Sequence, residues 1–211
     1  PLLNPNIFKF NIFSLSITAS FITQVVNLTF NYALPMTIQM VLFQNSQVAG
    51  LTLLPGALGY ALMAIISGRL YDRYGARLPI MIGLVLILIG TIMMAVLPIS
   101  LYGMLFSFLV IQLGAGFWFG NNMTYAISHV PTDYQSAGNS IFTATNNYSA
   151  AVGIALAAGI ISIFQKHADS ADRLITATHL GATWLFRIDV FLIVLEAIFS
   201  VRVLTSVNKK G

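Results

Sequence analysis

The side chains of this chain that could do chemistry are few, and most are uncharged amides. Ser20, Gln24, Asn27 and Asn31 recur at intervals of four, three and four residues, which places them on one helix face. Asn139, Thr143, Asn146 and Asn147 share a second face, with Tyr148 beside them. Gln112, Asn121 and Asn122 form a third group, with Trp118 and Phe119 between them. Amides hydrogen-bond many ligands without demanding one, and aromatic faces attract cations. Gln24, Asn27, Asn31, Gln112, Asn139, Thr143 and Asn146 are therefore candidate lining residues of a cavity for bulky, amphipathic, often cationic molecules. The competing role for such amides is helix-to-helix glue, worth about 0.6 kcal/mol each in a membrane. Asn121 and Asn122 read as packing at one end of a helix, and Trp118 and Phe119 as packing or interface residues.

Glu196 is the sharpest single residue, because it stands inside an apolar run. A charged carboxylate at mid-span costs about 2.5–3.5 kcal/mol on insertion scales. It must be paired, wetted or protonated, so Glu196 is a candidate proton-coupling residue. Its other reading is a lateral helix contact or a pairing with Arg202, six residues on and poorly placed for it. Asp189 and Arg187 read as positional residues near a membrane interface. Enzymatic chemistry finds no footing. Cysteine is absent, His129, His167 and His179 lie far apart in or near connections, and neither HExxH nor GxSxG occurs. No metal site or cofactor is expected.

These side chains need a scaffold, and the composition names it. Of 211 residues, 57% are apolar and 8% charged, and the mean hydropathy is +0.85. Soluble domains carry about 25% charged residues. So few charges cannot cover a water-facing surface, which leaves a polytopic membrane protein whose first partner is the lipid bilayer. The net charge of +4 comes from scattered Lys and Arg with no basic stripe, so nucleic acid is not an expected partner. The gaps between charges count the spans. Uncharged runs of 59 residues between Lys9 and Arg69, and of 55 between Arg77 and Asp133, hold two spans each. The 32 residues between Asp133 and Lys166 hold one, and a sixth runs from about Trp184. With breakers at Phe43–Gln47 and Pro98–Ser100, helices are expected at about 11–42, 48–67, 78–97, 101–127, 136–164 and 184–205. Residues 1–10 form a lead-in and 206–211 a tail, and Pro35 is expected to kink the first helix. Glycines at 83, 90, 114, 116, 120, 153 and 159 are expected to let backbones approach closely. Lys9, Arg69, Arg73, Arg77, Arg202, Lys209 and Lys210 fall on one side, against Lys166, Arg173 and Arg187 on the other. The richer side is expected to be cytoplasmic, with both chain ends there and residues 165–183 as the main external loop.

Between the second and third helices stands Gly68-Arg69-Leu70-Tyr71-Asp72-Arg73-Tyr74-Gly75-Ala76-Arg77. It resembles the signature loop of the major facilitator superfamily, G-x-L-x-D-R-x-G-R-K. Gly68, Leu70, Asp72, Arg73 and Gly75 match, Arg77 matches the last basic position, and Ala76 departs from the pattern. Further segments resemble the fourteen-span drug:proton antiporters of that superfamily. They are the opening Pro1-Leu2-Leu3-Asn4-Pro5-Asn6-Ile7-Phe8-Lys9, then Pro35–Gln39 and Ala49–Gly56, the glycine-rich Gly114–Gly120, and Val130–Asp133 with Ala137–Asn139. The resemblance implies an all-α membrane protein, six transmembrane helices forming one half of that fold as 3+3 inverted repeats. It also implies that the first residue is a cut inside a longer protein, whose N-terminal half is a partner. The implied activity is secondary active export of small amphipathic compounds from a bacterial inner membrane, energised by the proton gradient.

In the resemblance, Gly68, Leu70, Asp72, Arg73, Gly75 and Arg77 form a gating loop. Physically, glycines permit a tight turn, and arginines anchor it at the cytoplasmic face. A carboxylate such as Asp72 at another helix's N-terminus is worth about 0.3–1 kcal/mol, up to ~2 when partly buried. Thr132-x-x-Gln135 has the spacing of a capping box at the fifth helix, the expected receiver of the other half's loop. The loop fits a nutrient or metabolite carrier of the same fold equally well. A non-transporting membrane scaffold or receptor is the rival from another class.

Overall fold

The computed structural model describes residues 5–166 and 168–206. Pro1–Asn4 of the lead-in, His167, and residues 207–211 with Lys209 and Lys210 lie outside the described residues. A short 3-10 turn, Pro5–Lys9, precedes six helices: α1 (Asn11–Met40), α2 (Ser46–Tyr74), α3 (Arg77–Val96), α4 (Leu101–Ser128), α5 (Thr132–Gln165) and α6 (Ala171–Ser206). No strand occurs among the described residues. Five helices, α1 to α5, are long and apolar enough to cross a membrane. The sixth is longer still, 36 residues, and interrupts its apolar face with charges.

Local chemistry sets the helix ends. The Asn45 side chain accepts from the Val48 N–H at 2.9 Å and starts α2. The Ser100 hydroxyl accepts from the Gly103 N–H at 3.2 Å and starts α4. Both replace a backbone acceptor that a first turn lacks. The capping box expected at Thr132 is not formed, because Pro131 is the cap residue and makes no side-chain cap bond. Pro131 takes φ −56° and leaves Thr132 already inside the helix. Pro35 sits within the continuous α1.

Two helices are longer than their sequence suggests, for one reason. Charged residues at a span's end have the composition of a loop, yet the backbone continues its helical ladder through them. Hence α2 runs to Tyr74 rather than 67, so most of the signature segment is helix. Likewise α6 begins at Ala171 rather than 184, and the supposed loop 165–183 shrinks to a short turn. The exposed Arg173–Asp169 ion pair, 2.9 Å, stands where that turn meets α6. α5 also starts four residues early, at Thr132.

Packing shows two interleaved repeats. α1 packs chiefly against α5 and α6, whereas α4 packs chiefly against α2 and α3. The lead helix of each three-helix repeat thus lies among the trailing helices of the other. α1 meets α4, and α3 meets α6, across the centre. Three spans per repeat reverse the direction of the second, which makes the repeats inverted. Small residues permit the tightest crossings. A side chain at Gly83 would strike the Gly114 carbonyl, and one at Gly114 would strike that of Gly83, which locks α3 to α4. A side chain at Gly153 would strike the Val25 carbonyl, so α5 rides directly on α1. Gly120 and Gly159 differ from expectation, since open space lies beside both.

The core runs between the repeats. Trp118, Phe108, Phe30 and Phe186 are essentially fully buried there, and Phe30 and Phe186 join α1 to α6 with ring centroids 5.7 Å apart. A second cluster, of Ile7, Phe13, Ala126 and Phe142, seals the end where the chain enters. By contrast Leu51, Leu58, Leu62 and Ile65 on α2 are exposed, as befits a helix that faces lipid or another bundle.

Candidate functional site

α1 and α4 run antiparallel and are stitched by amides. The Asn27 amide donates to Gln112 Oε1 at 2.7 Å. Two turns toward the start of α1, Asn122 donates to the Ser16 carbonyl at 3.0 Å and to the Ser20 hydroxyl at 2.9 Å. Between these bridges the helices part. The space is a cavity of about 430 Å³, lined by Ser20, Gln24 and Asn27 of α1, Gln112, Phe119, Gly120 and Met123 of α4, Tyr60 of α2, and Phe142 and Asn146 of α5. α3 and α6 contribute nothing to the lining. They lie behind α4 and α1.

Of the seven sequence-proposed cavity residues, Gln24, Asn27, Gln112 and Asn146 meet at this cavity. Asn31 does not line it. Its amide turns back to the Asn27 carbonyl at 2.8 Å and Asn27 Oδ1 at 3.0 Å, which orients Asn27 for its bond to Gln112. Asn139 and Thr143 are exposed on α5 and also outside the lining, and the Thr143 hydroxyl is satisfied by the Asn139 carbonyl. The pair Trp118 and Phe119 divides. Trp118 is fully buried beside α3, whereas Phe119 faces the cavity. Phe119, Tyr60 and Met123 were missed as lining residues. The face of α4 that carries Gln112 would have found the first and last, since 112, 119 and 123 are seven and four apart.

The signature segment is chiefly the last turns of α2. Gly75 ends the helix in the left-handed region, φ +79°, with its N–H on the Tyr71 carbonyl at 2.8 Å. That conformation is open to glycine and strained for most other residues. Gly68 has no such role, as it lies within the helix with open space beside it. Asp72, Arg73 and Arg77 are exposed, and Leu70 is partly buried. Arg73 stacks over the Tyr74 ring at 5.2 Å. Asp72 makes no ion pair among the described residues.

Two carboxylates lie inside the bundle, away from the cavity. Glu196 is fully buried and accepts from the Ser200 hydroxyl at 2.5 Å through Oε1, while Oε2 has no hydrogen-bond partner among the described residues. Arg202 is exposed and makes no ion pair with it among the described residues. Asp189 corrects the reading of it as an interface residue. It too is fully buried, and its Oδ2 is hydrogen-bonded to the Thr29 hydroxyl of α1 at 2.7 Å. Arg187 does sit outside, with its guanidinium 5.3 Å from the Trp184 ring. Two residues turn a helix by roughly 200°, which separates the fates of 187 and 189. The signal for Asp189 was present. Residues 189, 193, 196 and 200 share one helix face. No group of three metal-ligating side chains occurs among the described residues.

Six membrane-length helices in two inverted repeats, with a polar cavity at mid-bundle and a charged turn at one end, define a polytopic carrier-type bundle. The Major Facilitator Superfamily profile matches residues 16–210, and the chain belongs to that family of transporters. Among its relatives, the lincomycin resistance protein LmrB of Listeria innocua is 28% identical over 79% of this chain and 36% of its own length. The multidrug efflux pump LfrA of Mycolicibacterium smegmatis is 24% identical over 79% of this chain and 33% of its own. The putative multidrug resistance protein MdtD of Citrobacter koseri is 26% identical over 97% of this chain and 44% of its own. The chain thus spans less than half the length of these relatives.

Proposed function

We propose that this chain is the C-terminal six-helix half of a secondary active exporter for drug-like amphipathic compounds, driven by proton antiport. The observation that carries the reading is the cavity between α1 and α4. It combines amides, a phenol, aromatic rings and a flexible methionine, a lining that adapts to many shapes and favours cations. The relatives' names, lincomycin resistance and multidrug efflux, point the same way. A cavity open on one side is closed by a second bundle, so the partner is an N-terminal half of the same protein. Alternating access is then a rocking of the two halves about this midplane site.

In this reading the arginine-bearing end faces the cytoplasm of a bacterial inner membrane, with both ends of the chain on that side. Gly75 shapes the turn, and Asp72 meets the positive N-terminus of a helix in the other half, closing the inner gate. Glu196, buried without a cation, loads and releases the coupling proton. The energy source is the proton gradient, and no cofactor is required. The test uses the protein at the full length its gene encodes, in proteoliposomes with a cationic dye panel. Dye-dependent proton movement is expected from the parent. Glu196→Gln is expected to abolish it while leaving dye binding measurable. Absence of dye-linked proton movement in the parent would overturn the reading.

A further inference from the structure

α1 has two polar faces. Asn27 looks into the cavity, and Thr29, roughly 200° further round the helix, looks into the core. There the Thr29 hydroxyl reaches both the Val26 carbonyl at 2.7 Å and Asp189 Oδ2 at 2.7 Å. Oδ1 of Asp189 is buried with no hydrogen-bond partner among the described residues. The neighbours on either side are apolar. Phe30 and Phe186 stack across the same helix pair, and Leu185 and Ile193 are fully buried.

No cation compensates this carboxyl from any element packed on α6. α1 holds no formally charged residue and one tyrosine, Tyr32. α3 holds only Arg77, at its first position, and α5 only Asp133, with Tyr134 and Tyr148. On α6 itself Asp172, Arg173, His179, Arg187 and Arg202 are exposed, and Glu196 is the other buried acid. A carboxylate stripped of water and without a counter-charge is strongly disfavoured, whereas the neutral acid needs only ordinary hydrogen bonds.

We infer that Asp189, held by Thr29, is a proton-binding residue on the closed side of α1, separate from the cavity, and that it links proton occupancy to the position of α1. The proton sits on Oδ2 while α1 and α6 are packed as here, donated to Thr29 Oγ1, whose own single hydrogen goes to the Val26 carbonyl. It leaves when the two helices part and water reaches the carboxyl, which then becomes an anion that opposes repacking. Because the same α1 carries Gln24 and Asn27 into the cavity, the lining moves with the protonation of Asp189. The link to substrate rests on the exporter reading. The proton site itself does not.

Infrared difference spectroscopy on the full-length protein in detergent, with dye binding measured in parallel from acid to alkaline buffer, tests it. Asp189→Asn is expected to remove a carboxylic-acid C=O band that the parent shows at neutral pH, and to flatten the pH dependence of dye affinity. Thr29→Val is expected to keep that band but shift it, because the acid O–H loses its acceptor. If the Asn variant fails to fold, the Thr29→Val shift carries the test. Asn27→Ala is expected to weaken dye binding and leave the band in place. No band lost in Asp189→Asn, no shift in Thr29→Val, or a band displaced by Asn27→Ala each overturns the inference. A parent that binds no dye at any pH overturns the exporter reading instead, and the band still decides the proton site.

Discussion

α1 and α5 carry almost the same polar pattern and end in different surroundings. On α1 the stripe faces α4 and is tied to it at Asn27–Gln112 and through Ser20 to Asn122. Of the α5 stripe only Asn146 reaches the cavity, while Asn139, Thr143, Asn147 and Tyr148 are exposed. The backbone explains the difference. Gly153 lets α5 ride directly on α1 at Val25, and α5 packs mainly on α1 and α6 and touches α4 only sparingly, so most of the α5 stripe stays outside the cavity. Spacing defines a face. What that face meets is decided by how the whole helix packs, seated here at the Gly153–Val25 contact.

The largest effect should come from that contact. Gly153→Leu places a side chain against backbone, which cannot yield as a flexible side chain would. Overpacking of this kind costs roughly 1–3 kcal/mol. The expected outcome is a lower thermal midpoint in detergent and weaker dye binding, because Asn146 is carried away from the lining. Unchanged midpoint and binding would show that α5 is not seated through Gly153.

Cutting the amide bridge should cost less. Asn27→Ala removes the donor to Gln112 and the acceptor for Asn31 together. Interhelical hydrogen bonds in membranes average about 0.6 kcal/mol, with a maximum near 1.7. A modest fall in midpoint is expected, with a larger fall in dye affinity. A double-mutant cycle with Gln112→Ala isolates the bridge, and a coupling energy indistinguishable from zero would show that the two amides do not hold α1 to α4.

How far the sequence foretold this arrangement depends on what each signal measures. Charge-free runs measure lipid exposure, so five of the six helices and most of their ends were legible that way. The extra turns at Gly68–Tyr74 and Ala171–Thr183 were not, because a helix can leave the membrane with its backbone ladder intact and its side chains charged. Gln24, Asn27 and Gln112 were legible as a constellation because each sits on a helix at the centre of the interleave. Asn139 and Thr143 were not separable from them, since their helix lies at the periphery. Asp189 was misplaced by proximity to Arg187 along the chain. A helix wheel, rather than distance along the sequence, sets which of two such neighbours is buried.

Gly120 sharpens the comparison from the cavity side. It lies in the lining with open space beside it. Alanine there removes a flexible residue from a helix interior, worth about 0.5–1 kcal/mol of stability, while its methyl group enters the cavity. A slightly higher midpoint is therefore expected, together with weaker binding of the bulkiest dyes and unchanged binding of small ones. Uniform weakening across dye sizes would mean that cavity volume at Gly120 does not select substrates.

The smallest effect on the bundle belongs to the outward half of the α5 stripe. The Thr143 hydroxyl is already satisfied within its own helix, and Asn139 is exposed and contributes to this bond only its backbone carbonyl. Asn139→Ala and Thr143→Ala should each move stability by no more than about 0.5 kcal/mol. The informative measurement is transport by the full-length protein. If a second bundle covers α5, its polar groups meet these side chains during closure, and the variants will slow turnover without changing dye affinity at equilibrium. If transport and stability are both untouched, this part of α5 faces lipid, and the side chains that line the cavity account for recognition without it. The same stripe motif then marks a site on one helix and an outer surface on the other, with the difference set by which helices each one packs against.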